Sequence, residues 1–177
     1  MLLTHFGLSG PAVLKLSSFA SKELFAKNYK ADLYLDFMPK TSVKELEENL
    51  LLESIQKPAK TIKQLFQDLP KRLLETLASE KELSLSLPLN HLSKAKKKEF
   101  IQLLKNYKVL MDGKTTHKEE FVTAGGVDLN EVDFKTMQCK RHPRLYFAGE
   151  VLDIDGVTGG FNFQAAWTTS MAVALGA

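Results

Sequence analysis

Between residues 145 and 177 the chain passes from a compact apolar run, through a cluster of glycines, into a small-residue apolar segment. Four glycines fall within 12 residues: Gly149, Gly156, Gly159 and Gly160. The run from Leu145 to Ala148 predicts a buried strand, and a helix is predicted from about Asn162 to the C-terminus. This order of strand, turn and helix predicts an α/β arrangement for residues 119–177.

The glycine cluster is suited to ligand binding. Glu150 lies at the carboxyl end of the predicted strand, the edge at which open α/β sheets bind ligands, and its carboxylate can accept hydrogen bonds from sugar hydroxyls. Gly159 and Gly160 would let a ring or a phosphate approach the backbone closely. The N–H groups at the start of the following helix favour an anion. The same glycines also suit a turn chosen for its geometry alone, so both interpretations stay open.

Helix signals dominate the segment from about residue 20 to residue 110. Ser42 and Glu45 have the spacing of a capping box at a helix start, and Ser93 opens a later amphipathic helix. Prolines break the chain between the helices that are predicted from Ser42 to Ser93. Before them, residues 31–37 alternate apolar and polar side chains, as a half-buried strand does. The sequence therefore predicts an α+β fold in which a helical module is joined to a glycine-rich α/β segment.

The basic residues argue against a nucleic-acid partner. The chain has 24 basic residues, of which Arg72, Arg141 and Arg144 are the arginines, and recognition of phosphates and bases favours arginine. The lysine run at 94–98 could contact nucleic acid, but no aromatic residue interleaves with it. A solvated helix face explains the run better.

Cysteine content and hydropathy indicate a soluble, cytoplasmic protein without a membrane segment. The single cysteine, Cys139, cannot form an internal disulfide, which fits a reducing compartment. Residues 1–20 are fairly apolar, but they lack a basic start and Gly10–Pro11 interrupts them, so we do not expect a signal peptide. No run approaches the roughly 20 apolar residues of a membrane span.

Three smaller clusters allow functional interpretations that we weigh against simpler ones. The glycine pair within residues 122–127 suits either a close approach to a cofactor or a turn, and the turn is favoured. His5 could be an acid or base on the substrate side, whereas Ser9 is better explained as a helix cap. Cys139 and His142 supply too few ligands, so no metal site is expected.

Four stretches together resemble the BaiN/RdsA, or YhiN-like, family of NAD(P)/FAD-dependent oxidoreductases. They are THFGLSGPAVLKLSS at 4–18, LPKRLLETL at 69–77, VTAGGVDLNEVDFKTM at 122–137 and LYFAGEVLDIDGVTGGFNFQAAW at 145–167. The stretches occur in the order that the family has and cover nearly the whole chain. The last is the most specific of the four.

The resemblance implies a division of the chain into three parts. Residues 1–20 would close a β-rich insert, 21–118 would form a helical insert domain, and 119–177 would be the C-terminal strand–turn–helix segment of an incomplete Rossmann-type FAD-binding domain. The G-x-G-x-x-G loop of such a domain is absent from the sequence. We therefore expect a missing N-terminal half as a partner, weak FAD binding and no activity in the isolated chain, and self-association through an exposed sheet edge.

The resemblance also implies a flavoprotein oxidoreductase that transfers hydride or electrons through FAD, with NAD(P)H as a possible reductant and a small molecule as substrate. Carried over by position, Gly149 and Glu150 would meet the ribityl and phosphate region. The residues at the flavin ring would be Gly159, Gly160, Phe161, Asn162 and Phe163. Catalytic residues cannot be assigned from the sequence. The alternative is a non-catalytic helical interaction module.

Overall fold

In the computed structural model, the structure describes residues 1–115, 122–157 and 160–176. These residues fall into two compact units. The first unit combines residues 1–31 with the segment that begins at Asp112, and the second unit comprises residues 32–111. The expected boundary near residue 118 lies outside the described residues.

Seven α-helices and six short strands are present in the described ranges. In chain order they are β1 (Leu2–Thr4), β2 (Gly7–Ser9), α1 (Pro11–Phe19), α2 (Ser21–Ala26), β3 (Lys30–Leu35), α3 (Val43–Gln56), α4 (Ile62–Leu65), α5 (Lys71–Glu80), α6 (Lys94–Lys105), β4 (Tyr107–Asp112), β5 (Val132–Asp133), β6 (Gln138–Cys139) and α7 (Phe161–Gly176). The strands form two-stranded sheets that pair β1 with β2, β3 with β4, and β5 with β6.

The second unit is a helical module around one apolar core. Its buried side chains include Leu50 of α3, Leu77 of α5 and Phe100 of α6, so each long helix contributes to the same cluster. Phe66 also belongs to this cluster, and its ring lies 5.7 Å from that of Phe100. Four helices lie between residues 40 and 107, which confirms the predicted helical content of this segment.

Local capping fixes where these helices begin. Ser42 Oγ accepts a hydrogen bond from Glu45 N–H, and the Glu45 carboxylate accepts one from Ser42 N–H, so the predicted capping box is confirmed. These hydrogen bonds lower the pKa of Glu45 below its ordinary value of 4.5. Ser93 caps α6 through Lys96 N–H. The starts of α3 and α6 thus follow from hydrogen bonds encoded within four residues.

The first unit has a much smaller core. Val132, Met137 and Leu152 form a buried cluster, against which Ala172 and Val173 of α7 pack. The hairpin of β1 and β2 exposes Leu2 and Leu3, and α1 contains no buried residue. Apolar side chains are therefore only partly covered in this unit.

Leu145 to Ala148 is not the buried strand predicted from its sequence. Tyr146 makes a single bridge to Gln138, and Leu145 is exposed. An extended segment becomes a regular strand only when a neighbour pairs with it along its length, and no described segment does so beyond this bridge. Glu150 accordingly lies in a 3-10 turn over Gly149–Val151 instead of following a strand.

Two other boundaries differ from expectation. Gly10–Pro11 predicts the start of a helix that runs to about Lys22, but α1 ends at Phe19 and α2 begins at Ser21. Strand β4 was not foreseen. The fold is a mixed α and β arrangement with small sheets. Within the described ranges, the helices are too short or too polar to cross a membrane.

Candidate cofactor-binding site

Residues 149–157 form a loop whose two ends are fixed on α7. At one end, Gly149 N–H donates to Thr169 Oγ1 at 3.0 Å, and the buried Thr169 hydroxyl donates in turn to Ala165 O. At the other end, Asn162 makes a two-way contact with Gly156: its Oδ1 accepts from Gly156 N–H at 2.7 Å, and its Nδ2 donates to Gly156 O at 3.2 Å. One end of the loop is thereby held at the start of α7 and the other near the middle of the helix.

A second glycine segment supports the middle of this loop. Val127 N–H donates to Val151 O, and Asp153 N–H donates to Val127 O, at 2.8 and 3.1 Å. A Cβ at Gly126 would lie 2.5 Å from Val151 O, so only glycine allows this approach. Gly126 of the pair within 122–127 therefore lets the backbone lie close to another part of the same chain, which is a structural role.

The N-terminus of α7 is open on the side of Gly160. The backbone ladder of the helix begins where Gln164 N–H donates to Gly160 O at 2.9 Å, so the N–H groups of residues 161–163 precede it. A Cβ built on Gly160 would meet no described atom within 4 Å. The chain's own packing thus does not require a glycine here, and the space beside it can admit a ligand.

The aromatic side chains at this end of α7 are exposed. Phe161 and Phe163 both face solvent, and the Phe163 ring stacks on Trp167 at a centroid distance of 6.1 Å. Apolar residues occur on every side of the helix, with polar residues such as Asn162 and Gln164 between them, and such an apolar helix is typically buried. An apolar ring system would find complementary surface here.

Glu150 is exposed, and within the described ranges its carboxylate has no hydrogen bond or ion pair. It stands in the turn that follows Ala148, with Gly149 in the left-handed region at φ +76°. The carboxylate is therefore available to a hydroxyl group or another donor.

A further acidic residue, which the sequence did not single out, lies in the same loop. Asp153 Oδ2 accepts a hydrogen bond from Lys22 of α2 at 2.7 Å, while its Oδ1 is buried and has no hydrogen-bond partner in the described part of the chain. The hydrogen bond and the negative charge of Asp153 raise the pKa of Lys22. A buried acceptor without a partner costs about 1–3 kcal/mol. In the sequence, Asp153 stands out only as one of the two alternating aspartates of LDIDG, and its role depends on Lys22, which is 131 residues away.

Of the residues assigned from the resemblance, Gly160, Asn162 and the two phenylalanines lie at the start of α7. Asn162 binds Gly156 there, whereas the Gly149 N–H binds Thr169, about 12 Å further along the helix. Gly159 lies outside the described residues. Two of the assigned residues have structural contacts of their own, because the Asn162 side chain and the Gly149 N–H already bind within the chain.

The donor and acceptor set fits a group that is part anion, part polyol and part aromatic ring, as a flavin nucleotide is. Free helix N–H groups suit negative charge, Glu150 and the orphaned Asp153 oxygen suit hydroxyl donors, and the open face at Gly160 leaves room for a ring. In the described ranges, no three metal-binding side chains converge.

Comparison with known proteins shows the family to which the chain belongs. Residues 1–122 match the family described as HI0933-like protein barrel and H2TH domain. The chain therefore belongs to this HI0933-like family, which includes the BaiN/RdsA proteins that the sequence resembles.

Three relatives align over nearly the whole chain. It is 35% identical over 175 residues to the ribosomal RNA dihydrouridine synthase of Escherichia coli and 34% identical to the protein of that name from Haemophilus influenzae. It is 26% identical to the 3-dehydro-bile acid delta(4,6)-reductase of Clostridium scindens. The alignments cover 98%, 99% and 96% of the chain, and 41% of each relative. The chain thus spans less than half the length of these relatives.

Proposed function

We propose that this chain forms one side of a flavin site in a cytoplasmic oxidoreductase that uses FAD to saturate an unsaturated ring of its substrate. The observation that carries the proposal is the open N-terminus of α7, at which Gly160 leaves space and the loop 149–157 is fixed by hydrogen bonds at both ends. We also propose that residues 119–177 belong to a Rossmann-like FAD-binding domain. The rest of that domain would come from sequence corresponding to the unmatched part of the relatives.

Each residue of the site has a distinct task in this proposal. The N–H groups that open α7 would stabilise negative charge on the pyrimidine edge of the ring, since a helix N-terminus is a fixed, preorganised donor. Glu150 would hold hydroxyl groups of the ribityl chain. Asn162 and Thr169 would not touch the cofactor but would hold the loop against the helix. A bound FAD, once reduced by NADH or NADPH, would supply hydride to the substrate, and a proton would complete the addition of hydrogen.

The relatives' names support the reaction class. One name specifies the formation of dihydrouridine in ribosomal RNA and the other the reduction of a bile acid, and both describe the addition of hydrogen to an unsaturated ring. Because the RNA-acting relatives are 34–35% identical and the bile acid reductase is 26% identical, we propose uridine in ribosomal RNA as the substrate. This proposal departs from the expectation, based on low arginine content, of no nucleic-acid partner.

The function is tested by titrating FAD into the polypeptide as its genome encodes it, and then into Gly160→Ala and Gly160→Val. We expect the wild type to bind FAD. The affinity should fall in the order glycine, alanine, valine, because a larger side chain fills the space meant for the ring. Glu150→Ala should weaken binding and leave the reduction potential unchanged.

Met171→Ala is the matched control, since Met171 is exposed on the same helix about 16 Å from Gly160 along its axis. If Gly160→Val binds FAD with normal affinity and an unchanged potential, the glycine serves the turn alone and the site is wrongly assigned. NADPH oxidation in the presence of unmodified ribosomal RNA, with a bile acid ketone in parallel, tests the substrate.

A further inference from the structure

We propose that Asp153 is a further cofactor-binding residue, whose Oδ1 accepts a hydrogen bond from a hydroxyl group of the ribityl chain, and that Lys22 positions this carboxylate. The inference rests on the proposed flavin function. It assigns a role to a residue that neither the sequence motifs nor the resemblance singled out.

The first step concerns the two oxygens of the carboxylate. Oδ2 accepts from Lys22 Nζ at 2.7 Å, whereas Oδ1 is buried and has no hydrogen-bond partner in the described ranges. Buried polar atoms in folded proteins almost always have a partner, and an exception calls for an explanation. A bound ligand that donates a hydrogen is such an explanation.

The second step concerns the direction of Oδ1. Asp153 N–H donates to Val127 O, which fixes the backbone, and the ion pair with Lys22 fixes the side chain. The side chain is 26% exposed overall, so one oxygen is solvated with its lysine while the other stays inside. A half-turn of the carboxylate only exchanges its two equivalent oxygens, so while the ion pair persists one oxygen stays inside.

The third step concerns the kind of donor. Oδ2 already pairs with the ammonium of Lys22, and no three metal-binding side chains converge in the described part of the chain, so a metal ion is not the group indicated. A phosphate is excluded by like charge. A neutral hydroxyl donor remains, and Asp153 lies three residues after Glu150, in the same loop that the resemblance places at the ribityl chain. Among the parts of a flavin nucleotide, the polyol therefore matches Oδ1 best.

The test compares FAD binding by the wild type, Asp153→Ala and Lys22→Met in the polypeptide as its genome encodes it. Asp155→Asn is the matched control, because this neighbouring carboxylate already accepts a hydrogen bond from Ser21 at 3.4 Å. We expect Asp153→Ala to weaken FAD binding at least about tenfold, Lys22→Met to weaken it a few-fold, and the control to bind normally. Thermal unfolding without FAD separates a binding role from a structural one.

Smaller ligands locate the contact. FMN carries the ribityl chain, whereas lumiflavin carries the ring alone. Asp153→Ala should weaken the binding of FMN as much as that of FAD and should leave the binding of lumiflavin unchanged. An equal loss for lumiflavin would place the contact on the ring and overturn the ribityl assignment.

The outcomes separate this inference from the function on which it rests. If the wild type binds no flavin, the proposed function and this inference both fail. If the wild type binds FAD and Asp153→Ala binds it equally well, only the inference fails. Should the alanine variant not fold, Asp153→Leu decides, because leucine has a similar branched shape and no hydrogen-bonding group. Unchanged FAD binding by Asp153→Leu would then overturn the inference.

Discussion

The two units of this chain use their apolar residues in opposite ways. The second unit, residues 32–111, buries a cluster of 13 side chains, whereas the main cluster of the first unit has three. Of the large apolar side chains that are exposed in the described ranges, 16 belong to the first unit and five to the second. The helical unit can therefore be stabilised by its own core, while the first unit presents surface suited to a ligand or further protein.

The largest expected effect tests the core of the second unit. Phe100→Ala should destabilise the protein by about 3–5 kcal/mol, because it removes a fully buried ring from α6. Far-UV circular dichroism during urea denaturation measures the loss. Ile55→Ala, at a position that is 69% exposed, should cost less than about 0.5 kcal/mol.

The same experiment can also refute the difference in stability between the two units. The chain's one tryptophan, Trp167, lies on α7 of the first unit, so its fluorescence reports on that unit. If Phe100→Ala shifts the fluorescence transition as far as the dichroism transition, the two units unfold together and do not differ in self-sufficiency.

A glycine substitution provides the converse test in the first unit. Gly126→Ala places a Cβ 2.5 Å from Val151 O at φ +148°, and the clash and strain together should cost about 2–4 kcal/mol. The Trp167 fluorescence transition should move, and of the helical dichroism only the part contributed by α1, α2 and α7 should move with it. Gly125→Ala is the control, since its φ of +102° is also strained but its Cβ meets no described atom. Equal effects at both glycines would show that strain, and not the close approach, dominates.

A smaller effect is expected from the exposed stripe on α7. Four large side chains spaced four residues apart are 57–77% exposed: Phe163, Trp167, Met171 and Leu175. Because such patches favour association, we expect the 177-residue chain to self-associate. Trp167→Gln combined with Met171→Gln should shift it towards monomer in sedimentation velocity. Ile55→Gln on the second unit should leave association unchanged, and a monomeric wild type at high concentration would contradict the expectation.

The smallest effect concerns acid. The hydrogen bonds of the capping box lower the pKa of Glu45, and the hydrogen bond from Lys60 lowers that of Glu53. A carboxyl whose pKa is lowered by folding stabilises the protein above its ordinary value of 4.5 and loses that contribution as the pH falls through its folded pKa. The second unit should therefore weaken slightly below about pH 4.5.

Glu45→Gln keeps the capping geometry and removes the titrating group, so it should reduce this acid sensitivity. Urea denaturation followed by circular dichroism between pH 3 and pH 7 measures the effect. If the free energy of unfolding falls with pH as steeply in the variant as in the wild type, other carboxyls cause the acid sensitivity.

The helices of the second unit could be predicted from the sequence because their signals are local. The capping box of Ser42 and Glu45 and the cap at Ser93 lie within a few residues of the helices that they start. The start of α7 was predicted to within one residue for a similar reason, since glycines precede an apolar segment.

The features that were missed depend on distant partners. Leu145 to Ala148 has the composition of a buried strand, but a strand also requires neighbours to pair with, and composition does not reveal them. Asp153 gains its meaning from Lys22, which is remote in sequence. The role of Gly126 likewise arises from its approach to Val151, and the motif alone allowed a cofactor contact equally well.

Hydrogen exchange with and without FAD, followed by mass spectrometry on the polypeptide as its genome encodes it, tests the central claim most directly. Without FAD, we expect slow exchange in the helices of residues 32–111 and faster exchange in residues 149–157 and 160–164. FAD should slow exchange in the latter two segments and leave residues 32–111 unchanged. If FAD protects the helical unit instead, or protects neither segment, the flavin site does not lie at the start of α7 and the account is contradicted.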